Sequence, residues 1–185
     1  MVNDQSGSSI SLNGSHCVAG NVNGVEPVSV GKVLFNPVSV GGSIADNGVA
    51  VSVVDLGNGL DYFDYDRTAA FYAANSGLSS LMGSSFKSAY YSNGIGIKMS
   101  GLEVGQKYQL QGFFWDGGPN TSLFVRNASD HENRGNTLET SAPAQGYYWL
   151  ATWIADAEEM TMEVRPGRSS RSVLSAFSLR SVDTQ

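Results

Sequence analysis

Ser92-Asn93-Gly94-Ile95-Gly96-Ile97-Lys98-Met99 carries the pattern on which the architecture turns. In an extended chain Ile95, Ile97 and Met99 fall on one side and Gly94, Gly96 and Lys98 on the other, because side chains of a strand alternate faces. One side is core and the other is thin or solvated. Asn93-Gly94 suits a two-residue turn whose central residues take positive φ, so the spacing predicts a hairpin between residues 86–91 and 95–99.

The same two-residue rhythm extends in both directions. Downstream, Tyr108, Leu110 and Phe114 alternate against Gln109, Gln111 and Trp115. This predicts a second hairpin between residues 106–115 and 121–127 across Asp116-Gly-Gly-Pro-Asn120. Residues 147–155 carry large side chains on both faces and read as a central strand. In 159–165, Met160, Met162 and Val164 point inward while Glu159, Thr161, Glu163 and Arg165 point outward, as where one sheet face meets water. Residues 173–181 close the pattern. Upstream, 28–35 is the first firm strand, and the β-branched Val49, Val51 and Val53 mark the next.

Between Asp66 and Met82 the period changes. Phe71, Ala74, Leu78, Leu81 and Met82 recur at helical steps, which predicts one or two short helical turns plugging an end of the structure. Residues 1–25 alternate Ser, Gly and Asn and read as a loosely held lead-in, with one edge strand expected around 17–19. Many short strands and little helix indicate a mostly β sandwich or barrel formed by a single domain over 26–185.

Composition bounds the function. A net charge of −6 over 185 residues leaves too few cations for a nucleic-acid backbone or an anionic membrane surface. No apolar run approaches the roughly 18 residues of a membrane span, and no secretory leader is legible at the N-terminus. Cys17 is the one cysteine, so an intrachain disulfide is excluded. Only 15% charged residues with 22 glycines, against about a quarter charged in typical domains, predict a secreted or cell-surface location.

Ser100-Gly-Leu-Glu-Val-Gly-Gln-Lys-Tyr-Gln-Leu110 resembles the "SGL-x-x-G-x-x-Y-x-L" entry into a central strand of galactose-binding-like jelly rolls in secreted bacterial proteins. Leu174-Ser-Ala-Phe-Ser-Leu-Arg180 is similar to their closing strand. The resemblance covers about the last half of the chain. It implies an antiparallel jelly-roll β-sandwich, a carbohydrate-binding role and a structural Ca2+. Fibronectin type III domains use a similar entry, but at about 100 residues they are too short for this continuous pattern. No ligand residue is carried over from the resemblance.

Candidate ligand residues come from the chain itself. Sugar rings stack on aromatic faces, and Trp115, Tyr147, Tyr148 and Trp149 fall at or near strand ends, Trp115 beside the turn that holds Asp116 and Asn120. Trp149 and Trp153 read more simply as packed core. The stretch 127–146 is nearly all polar and long for an unstructured loop, which places Asp130, His131 and Arg134 beside a ligand, or else makes it a mobile loop. Arg126 alternates away from Leu123 and Val125 and can donate two parallel hydrogen bonds to a carboxylate or sugar diol. For calcium, the oxygens of Asp55, Asn58 and Asp61 lie on one Gly-rich turn, although a solvated Asn/Asp turn explains the same residues.

Catalysis finds little to stand on. The nucleophile elbow, the zinc-binding helix and the phosphate-binding loop are all missing from the sequence, and Glu158 and Glu159 are strand neighbours that point apart. The reading is a non-catalytic module for an extracellular polysaccharide or oligosaccharide, with contacts from loops at one end of the sandwich. Its rivals are a structural or adhesive surface domain that binds protein or itself, and a small polysaccharide lyase or hydrolase using His131 or Tyr147.

Overall fold

A computed structural model describes residues 10–57, 60–64, 80–88, 94–115, 122–130, 138–139, 146–167 and 172–183. Numbering strands in chain order, the first sheet runs β12 (Gly146–Ile154), β9 (Lys107–Trp115), β15 (Ala176–Val182), β1 (Ser15–Val22), β3 (Val33–Val38), β2 (Val28–Val30). The second runs β11 (Leu138–Glu139), β10 (Ser122–Asn127), β13 (Glu159–Pro166), β8 (Ile95–Ser100), β5 (Val49–Asp55), β4 (Ser43–Asp46). A small third sheet joins β14 (Val173–Leu174), β7 (Ser84–Ser88) and β6 (Leu60–Asp64). The chain is a mostly β sandwich; among the described strands pairing is antiparallel except β1 with β3, and an isolated parallel bridge joins Val40 to Val53.

The alternation read from the sequence fills the space between the two large sheets. Val49, Val51 and Val53, then Ile95, Ile97 and Met99, then Met162 and Val164 meet Val18, Leu110, Phe114, Phe177 and Leu179 from the first sheet in one core. A second cluster lies on the other face of the first sheet, where Ala19, Phe35, Phe113 and Ala176 are covered by Ile10, Leu81 and Met82. That sheet is therefore buried on both sides along its middle, and Phe35 and Phe113 meet there edge to face.

Strand pairing departs from the sequence reading at several points. β7 and β8 flank Asn93-Gly94 but lie in different sheets, so no hairpin joins them. The inward row of β8 is completed by the valines of β5 and by Met162 and Val164 of β13, and burying these rows outweighs a local turn preference. Likewise β9 and β10 belong to opposite sheets; β9 pairs with β12 and β15. Residues 28–35 are two strands, β2 and β3, turned at Gly31, whose φ is +59°. β12, expected at the centre, forms an edge, and its outward Tyr148, Leu150 and Ile154 are exposed.

β1 departs furthest from the reading, since it is no edge strand of a loose lead-in but lies between β15 and β3 in the first sheet. Val18 and Val22 enter the central core and Ala19 enters the second cluster, after a register shift at Cys17. Residues 10–14 then cross the outward face of that sheet. The backbone N–H of Ser11 donates to Gln111 at 2.8 Å, and Arg180 donates to the carbonyls of Asn13 and Gly14 at 3.1 and 2.7 Å. The helical turns expected over 66–82 fall outside the described residues except for helical 80–82.

Two measurements test this packing. Trp149 lies over Gly112, its partner across the β12–β9 ladder, and a Cβ on Gly112 would stand 2.1 Å from the indole. Gly112→Ala should therefore lower stability by about 1–3 kcal/mol, read as a reduced urea midpoint. His16 is held below its ordinary pKa of 6.5 first by burial and then by the charge of Arg180, with Asp46 opposing. The unfolded chain thus takes up a proton before the folded one, so stability present above pH 6.5 is lost as pH falls through the lowered folded value. Thermal melts over that window should fall in the parent and fall less in His16→Gln.

Candidate functional site

The outward face of the second sheet is built by the side chains that alternate away from the core. Register places Arg126, Glu163, Gly96 and Val54 in one row across β10, β13, β8 and β5, and Thr161, Lys98 and Ser52 in the next. Glu159, Ser100 and Ala50 form the row after that. Where β10 ends and β13 begins, an open depression of about 610 Å³ is lined by Lys98, Asn127, Ser129, Asp156, Glu159 and Thr161 among others.

Two ion pairs on this face differ in kind. Lys98 Nζ lies 3.3 Å from Glu159 Oε2 with both side chains largely in water. Such a pair contributes less than about 1 kcal/mol and exchanges readily for a ligand hydroxyl. Arg126 Nε donates to Glu163 Oε2 at 2.6 Å, and those side chains are only 8% and 9% exposed. The guanidinium also stands 5.9 Å from the Phe124 ring. Arg165 Nε approaches the same Glu163 oxygen at 3.9 Å, outside hydrogen-bonding distance. Asn127 Oδ1 accepts from the N–H and the hydroxyl of Ser129, which holds the turn at the rim.

Among the described residues, those expected at one end of the sandwich fall toward two. Trp115 pairs with Gly146, and Tyr147 stacks on Phe114 at 5.6 Å, facing the core. Hydrogen bonds of Ala155 with Gln106 and Gly105 place the start of β9 and the end of β12 at the opposite end, where Asp130 follows the close of β10. The length of β9 thus separates the Trp115 side from the Asp130 side, roughly 25 Å at about 3.3 Å per residue. Asp116, Asn120, His131, Arg134 and Asn58 lie outside the described residues, and the side chains of Trp115 and Asp61 are not described.

Arg126 holds its predicted outward position, yet it is engaged by Glu163. The Asp55 carboxylate accepts from the N–H of Gly57 at 2.9 Å and so closes a turn. Among the described residues no three acidic, histidine or cysteine side chains converge as a metal site. The sequence alone does not single out Lys98, Asn127 and Glu159, which line the depression. Their signal was the polar face of an alternating strand, which reads equally well as ordinary solvated surface.

The architecture is shared with known proteins. Bacteroides uniformis beta-glucuronidase 2 is similar at 12% identity and a TM-score of 0.60 over 90% of this chain and 18% of that one. This chain therefore spans under a fifth of that protein's length. The CBM22-1 xylan-binding domain from Paenibacillus barcinonensis Xyn10C aligns at 9% identity and a TM-score of 0.49 over 95% of this chain and 100% of its own. The likeness to beta-glucuronidase 2 shows a shared fold and agrees with the β-sandwich expected from the sequence. No family model matches the sequence, and no curated protein matches it.

The buried pair offers a direct test of how this face is held. Removing Glu163 leaves Arg126 buried without its carboxylate and close to a second guanidinium. Glu163→Ala should cost about 3–5 kcal/mol in denaturant unfolding, and adding Arg126→Met should recover a large share of that loss.

Proposed function

We propose that the chain is a non-catalytic module that binds an extracellular polysaccharide or oligosaccharide on the outward face of the second sheet. The observation that carries this reading is the open, polar depression bounded by Lys98, Asn127, Glu159 and Thr161. An extended, hydroxyl-rich chain needs a long accessible surface with donors and acceptors fixed on rigid elements. Strands β8 and β13 supply that rigidity because their inward sides are locked in the core. The likeness to known structures supplies the fold alone; the ligand class follows from the chemistry of this face. An extracellular home fits the low charge and the abundance of glycine, and no helix among the described residues is long and apolar enough to cross a membrane.

One observation favours a second reading, a domain that binds protein or itself. Tyr148, Leu150 and Ile154 form an exposed apolar row on β12, the edge strand of the first sheet. A stable oligomer in light scattering, without any saccharide bound, would support it.

Affinity electrophoresis against a panel of neutral and acidic soluble polysaccharides tests the glycan reading. At least one polymer should retard the protein, and Lys98→Ala with Asn127→Ala should weaken that retardation by about tenfold, equivalent to about 1.4 kcal/mol. Migration unaffected by every polymer would sink the proposal.

A further inference from the structure

Among the described residues two guanidiniums flank Glu163 on the outward face of the second sheet, and only Arg126 hydrogen-bonds to its carboxylate. Glu163 accepts from Arg126 at 2.6 Å, while Arg165 Nε stays 3.9 Å from the same oxygen. Among the described residues no hydrogen-bond acceptor is found for Arg165. Arginine stays protonated at any working pH, so the trio Arg126, Glu163 and Arg165 carries a net positive charge. This stands out in a chain of net charge −6, whose overall field repels anions.

The position of Arg165 is built by the strand beside it. Its stem lies across Gly94, where an added Cβ would stand 2.6 Å from Arg165 Cδ and 3.3 Å from Nη1. Glycine at that position lets the side chain lie flat on the sheet. With 28% of the side chain exposed, the guanidinium is reachable from solvent yet partly desolvated, which strengthens a charge-assisted bond. Phe124, directly opposite Arg165 in the ladder, borders it on the β10 side. Glu159 and Arg165 project from the same face of β13 about 20 Å apart at about 3.3 Å per residue, with Thr161 and Glu163 between them.

We infer that Arg165 anchors a carboxylate of the bound saccharide, so that the ligand of this face is an acidic glycan containing uronic acid units. This deepens the proposed function and rests on it. A planar carboxylate presents two oxygens at the spacing of one guanidinium edge. The sugar hydroxyls would then run along β13 toward Thr161, Lys98 and Asn127.

The test compares an oligogalacturonate with its methyl ester, which is the same sugar without the charge, by isothermal titration calorimetry at low and high salt. The acid should bind about tenfold tighter than the ester, the worth of one charge-assisted hydrogen bond, and salt should erode that advantage. Arg165→Gln should abolish the preference, bringing acid and ester to equal affinity, with the urea midpoint in place. Gly94→Ala, which displaces the stem but keeps the charge, should reduce it. Equal affinity for acid and ester, or a preference that survives Arg165→Gln, would overturn the anchor while the module reading stands. Tighter binding of a sulfated galactan oligosaccharide than of the uronate would overturn the carboxylate assignment. Failure of acid and ester alike to bind, where a neutral polymer of the electrophoresis panel retards the protein, would overturn the acidic ligand while the module reading stands.

Discussion

The meeting of two alternating rows, Ile95, Ile97 and Met99 from one sheet against Leu110, Phe114, Phe177 and Leu179 from the other, is the constraint from which the remaining structure follows. Each row fixes which way its strand faces, because a slip of one residue would exchange core and solvent sides. Once β8 and β13 are locked in this way, Lys98, Thr161, Glu163 and Arg165 can only project outward. The polar face is thus the reverse side of the hydrophobic core. Its precision derives from apolar contacts that no ligand touches.

The two large sheets treat their outward faces differently. On the first, residues 10–14 and the Leu81–Met82 turn cover the middle, and Gln109 and Gln111 are engaged by Ser11. On the second, glycines and small residues keep the surface low between charged neighbours. Covering one face leaves the other as the broad polar surface on which an extended molecule can lie. The exposed apolar row of β12 stands apart from it, at the edge of the opposite sheet.

Side-chain direction was legible in the sequence; strand partnership was not. Val49, Val51 and Val53, Ile95, Ile97 and Met99, and Met162 and Val164 face the core as the two-residue period predicts. That period is a local property, whereas pairing is decided between strands distant in sequence. Asn93-Gly94 and 116–120 read as hairpin turns, yet β7 and β8 lie in different sheets, and so do β9 and β10. β12 misled for a related reason: large residues on both faces suggested burial on both, yet Tyr148, Leu150 and Ile154 face outward at an edge. For the site, the outward directions of Arg126 and Glu163 were readable, while their pairing at 2.6 Å depends on register between β10 and β13. Loop composition also pointed to Trp115 and Asp130 together, and only the topology separates them.

The placement of β1 between β15 and β3 reaches beyond static architecture. Within this sequence the first strand, β1, has as its neighbour the strand translated furthest after it, β15. Until β15 emerges, the valines of β1 lack their antiparallel partner and the first sheet is open through its middle. Synthesis therefore delivers β2 to β14 before the first sheet can close, and closure must join segments far apart in sequence. Such non-local topologies fold slowly. The strand that completes the sandwich also sets the moment at which it can begin to exist as a folded body.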